Sequence, residues 1–284
     1  MTSTDGRADP FRDRVALITG GSSGIGLATA QALAARGAHV WLLARDQDKL
    51  AEALASLESH RRTPEQRFTA LAADVADWSQ VDRALDQVEA AGGAPDLVIN
   101  SAGVVQPGRF RELDLDLFRW MMETNYFGTV HVTKRSVPGM VQRGSGHIVN
   151  ISSLAGILAI FGYTAYSGSK FAVRGFSDAL RSELKPLGVH VSVVFPPDTD
   201  TPQLHYENRF KPAETKALAG NSGVLAPEAV AEAILAGVQR RRYMILPGME
   251  SKLLYRLSGW IGGLQYPIVD WLIARARRGE QHSS

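Results

Sequence analysis

The sequence predicts an α/β protein built on a doubly wound parallel sheet of about seven strands, with helices on both faces. Short apolar runs alternate with longer segments of helical composition over residues 15–195, and this alternation is typical of such sheets. A glycine-rich turn joins the first apolar run to the first helical segment at residues 20–26. The chain has 284 residues and 45% hydrophobic content, which is enough for one large core.

Seven apolar runs are predicted as strands. Most are apolar at successive positions, which is typical of strands buried on both faces. The predicted strands are residues 15–19, 39–44, 68–73, 96–100, 147–151, 189–195 and 243–246. Helices are expected at residues 27–36, 46–60, 78–91 and 117–135, in a segment that continues to Leu184, and from Pro227 onward, because proline suits a first helical turn.

The composition excludes several classes of site. The chain contains no Cys, which excludes disulfides, thiolate nucleophiles and Cys-ligated metals. Its seven His show no HExxH or similar spacing, so no metal site is expected. A net charge of +2 does not favour a nucleic acid or a strongly acidic partner.

A single folded domain is expected over residues 15–250. It includes a polar, irregular segment at about residues 200–226, called the lid here, that is a candidate cover for a substrate. Residues 1–14 are polar and lack the apolar core of a signal peptide, so they are interpreted as a flexible lead-in of a protein that stays in the cytoplasm. Residues 251–284 form an apolar and basic C-terminal tail.

The tail has three open interpretations. Residues 253–273 are rich in Leu, Ile, Trp and Tyr, and several Arg follow them. Arg256, Gln265 and Asp270 interrupt the apolar stretch, which argues against a membrane-spanning helix. A peripheral anchor on the cytoplasmic face of a membrane, an apolar flap over the substrate and an oligomer contact all fit the pattern.

The glycine turn, residues 20–26, predicts a dinucleotide site. Gly20, Gly24 and Gly26 allow a tight turn and a close approach of the backbone to a ligand, and the following helix N-terminus attracts a pyrophosphate. An ordinary tight loop could contain the same glycines. The position of the turn between a buried strand and a helix favours the dinucleotide interpretation, and hence a Rossmann-type sheet.

The residue after the second predicted strand bears on the choice of cofactor. NAD enzymes tend to place Asp or Glu there, whereas this chain has Ala44 followed by Arg45. A guanidinium suits a 2′-phosphate, so NADPH is predicted. The alternative is a solvated arginine at the start of the next helix.

Three further polar residues have both a functional and a structural interpretation. Asp74 follows the third strand, where it could contact an adenine amino group or, like Asp77, cap the next helix. Asn125 lies within an apolar predicted helix, although Asn is a poor helix former. It is interpreted either as a satisfied buried amide or as a functional group.

Ser153, Tyr166 and Lys170 form the candidate catalytic group. Tyr166 and Lys170 are four residues apart, so on a helix they share one face. This arrangement suits a proton donor beside a fixed cation. A surface helix pair would show the same spacing, and the order of Asn125, Ser153, Tyr166 and Lys170 argues against it.

Taken together, these motifs resemble the short-chain dehydrogenase/reductase family over about residues 12–246. The matching pieces are TGGSSGIG at 19–26, Asp74 and Val75, NSAG at 100–103, Asn125, Ser153, YSGSK at 166–170 and the turn at 196–201. Ser101 and Pro197 depart from the pattern, which usually has Asn and Gly there. The resemblance implies catalytic roles for Asn125, Ser153, Tyr166 and Lys170. It implies cofactor contacts for Gly20, Ser22, Ser23, Gly24, Ile25, Gly26, Arg45, Asp74, Val75, Asn100, Ala102, Gly103, Tyr166, Lys170, Pro196, Thr199 and Thr201.

Within this family the chain looks like the 3-ketodihydrosphingosine reductases. PPDTDTP at 196–202, residues 207–215 and residues 161–176 carry the likeness. It implies NADPH-dependent reduction of the ketone of 3-ketodihydrosphingosine at a membrane. Two alternatives stay open: an NADPH-dependent reductase of another long-chain or hydrophobic ketone, and a catalytically inactive NADP(H)-binding sensor.

The resemblance also implies a mechanism. Tyr166 would donate the proton, with a pKa lowered by Lys170 and the nicotinamide, and Ser153 would orient the carbonyl oxygen. Lys170 would also hold the nicotinamide ribose, and Asn125 would hold a water that links Lys170 to solvent. A dimer or tetramer is expected, paired through the helices that carry Asn125 and Tyr166.

Overall fold

The computed structural model describes residues 9–219 and 223–261, together with 267, 270 and 271. Within this part of the chain, seven parallel strands form one sheet in the order β3-β2-β1-β4-β5-β6-β7. The order reverses between β1 and β4, so a crevice is expected at the carboxyl ends of these two strands. The predicted doubly wound sheet is confirmed.

The strands match the apolar runs closely. They are β1 Val15–Thr19, β2 His39–Ala44, β3 Phe68–Ala72, β4 Leu97–Asn100, β5 Gly146–Ile151, β6 Val189–Val194 and β7 Met244–Ile245. In β1 the side chains alternate between two cores: Ala16 and Ile18 pack in one, and Leu17 packs in the other. Because both faces are covered, the strands are apolar at nearly every position.

Helices cover both faces of the sheet. They are α1 Gly24–Ala34, α2 Gln47–Glu58, α3 Trp78–Gly92, α4 Leu115–Met121, α5 Gly128–Arg143, α6 Thr164–Leu184, α7 Pro202–Glu207, α8 Ala213–Ala219, α9 Pro227–Gln239 and α10 Gly248–Ile261. One core receives α1, α2 and α9, and the other receives α3, α5 and α6. Burying one aliphatic side chain in either core stabilises the fold by about 1.5–3 kcal/mol relative to leaving it exposed. The two cores therefore hold the strands in place, and with them the strand ends at which the site lies.

The predicted helix at residues 117–135 is longer than expected. It runs from α4 through a π-helical turn, Met122–Phe127, into α5 and contains Pro138. Pro138 cannot donate the helical hydrogen bond at its position, yet α5 continues beyond it to Arg143. The π turn places Asn125 in the interior of the protein.

The prediction of an irregular lid is wrong for most of its described residues. Thr201 caps α7 by accepting a hydrogen bond from the Leu204 amide at 3.2 Å, and Pro202 occupies the first turn. A second helix, α8, follows. Residues 220–222 of the lid lie outside the described residues.

The domain also begins earlier than predicted. Phe11 is buried in the core against α1, and the Arg36 guanidinium lies 5.6 Å from the centroid of its ring. Residues 9–14 therefore belong to the folded domain, because Phe11 is the one apolar side chain of that stretch and the core accepts it. Residues 1–8 lie outside the described residues.

The first part of the tail forms α10. Met249, Leu253 and Leu257 recur every four residues and are exposed, whereas Ser251 is buried. Among the residues described, no helix combines the length and the apolar character needed to cross a bilayer. The rest of the tail is described only at residues 267, 270 and 271, so its predicted roles lie largely outside the described residues.

Candidate active site

The glycine turn lies at the carboxyl end of β1 and leads directly into α1. Gly20 and Gly24 have φ values of +63° and +53°, which side chains rarely tolerate. A Cβ on Gly26 would lie 2.3 Å from the Gly20 carbonyl oxygen. Ser23 is the N-cap residue, but its side chain makes no capping hydrogen bond, so donors of the first turn remain free of a side-chain cap. The turn therefore fits the pyrophosphate of a dinucleotide.

The turn after β4 packs directly against the glycine turn. A Cβ on Gly20 would lie 2.9 Å from the Ala102 backbone, and Thr19 Oγ1 accepts hydrogen bonds from the Ser101 and Ala102 amides. The side chain of Asn100 points away from this crevice. Its Nδ2 donates to Thr133 at 3.1 Å and to Asn150 at 2.8 Å. A cofactor contact of Asn100 would therefore involve its backbone.

Arg45 and Asp74 lie side by side at the ends of β2 and β3. Their closest nitrogen and oxygen atoms are 3.9 Å apart, and both side chains are partly exposed. Asp74 also accepts a hydrogen bond from the Ala76 amide, while Asp77 caps α3. Val75 is buried against Gly128. The outer end of the crevice thus presents a guanidinium next to a carboxylate.

Tyr166 and Lys170 lie on one face of α6 and are both buried. Lys170 Nζ donates to the Ile151 carbonyl at 3.0 Å and lies 5.6 Å from the centroid of the Tyr166 ring. Ser153 follows β5 and hydrogen-bonds with Tyr166 through its side chain. Because Tyr166 and Lys170 are buried, they are not an ordinary surface pair. Ser153, Tyr166 and Lys170 lie together, as predicted for catalytic side chains.

The electrostatics of Tyr166 differ from the prediction. Burial raises the pKa of Tyr166, and the nearby carboxylates Glu207 and Asp198 raise it further, whereas hydrogen bonds with Ser153 and Gln203 oppose the rise. In the protein alone, the pKa of Tyr166 is therefore shifted in the direction opposite to the predicted lowering, because desolvation and the two carboxylates outweigh the hydrogen bonds. Burial also lowers the pKa of Lys170, to about 8.

Asn125 is held by backbone and side-chain contacts. Its Oδ1 accepts from the Val104 amide at 2.7 Å, and its Nδ2 donates to the Val104 carbonyl and to Ser169 Oγ. The amide therefore joins the turn after β4 to α6. Its predicted role as a holder of water stays a prediction.

The loop after β6 closes over the glycine turn. The Pro196 carbonyl accepts from the Leu154 amide, and buried Thr199 donates to the Pro197 carbonyl. Thr201 Cγ2 lies 3.0 Å from the position that a Cβ on Gly24 would occupy. The turn at 196–201, with its predicted cofactor contacts, thus lies beside the glycine turn.

Four side chains beside Tyr166 were not predicted as site residues: Tyr163, Gln203, Glu207 and Lys211. Gln203 hydrogen-bonds with Tyr166, and the ring centroids of Tyr163 and Tyr166 are 5.9 Å apart. Glu207 contacts both Tyr163 and Lys211. The spacing of four between Gln203, Glu207 and Lys211 is the sequence signal that could have placed them on one face.

The family comparison agrees with this geometry. A family model described as short chain dehydrogenase matches residues 14–212. The chain is 40% identical over 243 residues to a 3-dehydrosphinganine reductase of Danio rerio, covering 85% of this chain and 73% of that protein. It is 39% identical, with the same coverage, to a 3-ketodihydrosphingosine reductase of Mus musculus.

Solved structures share the fold. A short chain dehydrogenase/reductase from Burkholderia phymatum, in complex with NAD, has a TM-score of 0.79 and 27% identity, covering 90% of this chain and 96% of that one. The L-sorbose reductase of Gluconobacter frateurii, complexed with NADPH and L-sorbose, has a TM-score of 0.74 and 28% identity, covering 86% and 98%. The chain belongs to the short-chain dehydrogenase/reductase family.

Proposed function

We propose that this protein reduces the ketone of 3-ketodihydrosphingosine to dihydrosphingosine, using NADPH. The observation that carries the proposal is the group formed by buried Tyr166 and Lys170 with the half-buried Ser153 at the carboxyl end of β5. The names of two similar relatives supply the substrate. When bound, the dinucleotide supplies the hydride that reduces the carbonyl carbon.

Tyr166 donates the phenolic proton to the carbonyl oxygen. Its raised pKa keeps the phenol protonated at neutral pH, which is the form that a general acid needs. Ser153, which already hydrogen-bonds with Tyr166, orients the carbonyl oxygen toward the phenol and stabilises the charge that develops there. The carbonyl becomes a secondary alcohol once carbon has gained the hydride and oxygen the proton.

Lys170 supports the phenol and the cofactor. Its ammonium group is buried close to the Tyr166 ring, where a positive charge stabilises the phenolate left after proton transfer. Lys170 would also hold the nicotinamide ribose of the bound dinucleotide. Asn125 fixes this part of α6 through Ser169, and its predicted water would return a proton from solvent.

NADPH is preferred over NADH in this proposal because of Arg45. The guanidinium is 57% exposed at the end of β2, so it can reach a 2′-phosphate that lies outside the crevice. A bound phosphate would then replace Asp74 as its partner. Among the similar structures one contains NAD and another NADPH, so the proposal rests on Arg45 and not on those neighbours.

The tail and one helical face extend the proposal to partners. The exposed apolar side chains of α10 favour peripheral contact with the cytoplasmic face of a membrane, where a long-chain ketone would be found.

Phe127 and Phe171 are each 40% exposed on the helices near Asn125 and Tyr166. Exposed aromatic groups on these helices favour the predicted homo-oligomer.

A panel of ketones tests the proposed function. NADPH oxidation is measured with 3-ketodihydrosphingosine, with other long-chain ketones and with a short β-keto ester. We expect kcat/KM for 3-ketodihydrosphingosine to exceed that for the short ester by about 10-fold or more, since each buried methylene is worth about 1 kcal/mol. Preference for another long-chain ketone or for the short ester would overturn the substrate assignment, and no turnover with any ketone would favour the sensor alternative.

A further inference from the structure

The face of α7 that carries Gln203 and Glu207 is turned toward the catalytic tyrosine. Gln203 hydrogen-bonds with Tyr166, and its Oε1 lies 4.0 Å from the position that a Cβ on Gly103 would occupy. Glu207 follows four residues later and is only 7% exposed. Because side chains four apart share a helix face, both groups border the space beside Tyr166.

Glu207 is a buried carboxylate with one oxygen in use. Its Oε1 accepts from the Tyr163 hydroxyl at 3.2 Å and lies 3.0 Å from Lys211 Nζ. The other oxygen, Oε2, accepts no hydrogen bond from the described residues and is not fully enclosed, so a ligand could reach it. Burial raises the pKa of Glu207, and Lys211 opposes the rise. A carboxylate buried in this way gains from a further donor or cation.

The charges around Glu207 do not balance. Lys211 Nζ also lies 3.4 Å from Asp198 Oδ2, so one ammonium serves two carboxylates. The Lys211 side chain is 6% exposed, and that of Asp198 is 46% exposed. The group of Asp198, Glu207 and Lys211 thus has one negative charge in excess next to Tyr166. Such a group selects for a cation close to the reacting carbonyl.

We propose that Glu207 binds the ammonium group of a 2-amino ketone and thereby selects substrates with an amine on the carbon next to the carbonyl. The inference rests on the proposed function, because 3-ketodihydrosphingosine has this amine beside its ketone. With the carbonyl oxygen at Tyr166 and Ser153, the amine on the next carbon would face the side chains that border Tyr166, among which Glu207 is the buried acid. Tyr163 and Lys211 act as positioning residues, since both hold Glu207 Oε1.

The same contact would favour proton transfer. Glu207 is the strongest of the charged groups that raise the pKa of Tyr166. An ammonium group beside Glu207 offsets that effect, so the phenol becomes a better acid when an amino ketone is bound. Glu207 is therefore expected to affect kcat as well as KM, and only for substrates that have the amine.

The test compares two ketones and two variants of the full-length protein. The ketones are 3-ketodihydrosphingosine and an otherwise identical analogue without the amino group. Glu207→Gln keeps the size of the side chain and one acceptor oxygen but removes the charge. Glu214→Gln is the matched control, because Glu214 is a buried acid of the same lid, 3.0 Å from Arg109 and paired with it.

We expect Glu207→Gln to lower kcat/KM for the amino ketone by about 10- to 100-fold, the range for loss of a charge-assisted contact. In the same variant, kcat/KM for the analogue should change less than about 3-fold, so the preference for the amino ketone is lost. Glu214→Gln should affect both ketones alike. Thermal unfolding and NADPH affinity, measured for each variant, report whether the fold and the cofactor site are intact.

Other outcomes overturn the inference. If Glu207→Gln lowers kcat/KM equally for both ketones, Glu207 has a structural role only. If kcat/KM falls for neither ketone, Glu207 does not belong to the site. If that variant does not fold, the two ketones are compared in the wild type. Equal kcat/KM for them would show that the enzyme does not select for the amine, and this would overturn the inference. A wild type that reduces only the analogue would instead overturn the proposed function, and the inference with it.

Discussion

Different contacts hold the glycine turn and the lid, the regions proposed to form the cofactor side and the substrate side of the site. The glycine turn is fixed by backbone: the Gly20 amide donates to the Leu43 carbonyl at 2.8 Å, and Gly26 has no room for a Cβ. The lid is fixed by side chains from distant parts of the chain. Its contacts are Arg109 with Glu214, Thr215 with the Phe161 carbonyl, and Tyr206 with Gln106.

This difference explains which half of the site a sequence reveals. A turn fixed by backbone demands glycine at set positions, because only glycine tolerates both the φ values and the close contacts. A lid fixed by side-chain pairs has many chemical solutions, and each depends on residues about 50 to 100 positions away. The cofactor side therefore carries a motif that many enzymes share, whereas the substrate side carries the features that distinguish this chain.

Tyr166→Phe should have the largest effect, because Tyr166 lies between the two sides. Loss of the general acid should lower kcat by about 10²- to 10⁴-fold. Affinity for NADPH should stay within about 3-fold, since the glycine turn and Arg45 are unchanged. Steady-state kinetics and NADPH fluorescence titration measure the two effects separately.

Tyr126→Phe is the matched control for that prediction. Tyr126 packs against Phe127 and Phe176 through its ring, which the substitution retains. Its turnover should stay close to that of the wild type. Near-normal turnover of Tyr166→Phe would disprove the assigned role of Tyr166.

Arg45→Ala should have an intermediate effect that is confined to the cofactor side. A phosphate contact made by a guanidinium is worth about 1.5–3 kcal/mol, so KM for NADPH should rise about 10- to 100-fold. NADH has no 2′-phosphate, and its KM should change less than about 3-fold. Arg111→Ala removes an arginine that is 81% exposed and far from β2 in sequence, and serves as the control. Equal changes for both cofactors would contradict the proposed NADPH preference.

Most of the sheet could be predicted because hydrophobic periodicity is a local signal. β1 and β2 have the predicted bounds, and Pro227 begins α9 as expected. The bounds of α1 differ, since the helix begins at Gly24 within the glycine turn. Helix ends depend on capping and on contacts that the apolar pattern does not encode.

The substrate side could not be predicted in the same way. Thr201 and Pro202 are a helix start signal that the polar composition of the lid obscured. The burial of Glu207 has no local signal, because it depends on Tyr163 from the loop before α6. The direction of the Tyr166 pKa shift in the protein alone could not be predicted for the same reason, because burial and the proximity of Glu207 both depend on the tertiary structure.

Substitutions in the tail should have the smallest effect on catalysis. Their main effect should be on membrane binding, which can be measured separately. Met249, Leu253 and Leu257 are 79%, 59% and 44% exposed along one line of α10. Replacing Leu253 and Leu257 by Asp removes apolar area and adds charge, so partition onto vesicles of phosphatidylcholine and phosphatidylserine should fall by about 10-fold or more. Vesicle flotation measures this partition, and turnover of a short, water-soluble ketone should change less than about 2-fold.

Leu115→Asp provides the comparison for the tail variant. Leu115 is 71% exposed at the start of α4, so this variant adds charge at an apolar surface position away from α10. Its flotation should match that of the wild type. If the wild type stays in solution, the tail is not an anchor, and the flap and oligomer interpretations of α10 take its place. If both variants lose flotation equally, binding depends on overall charge and not on the apolar line of α10.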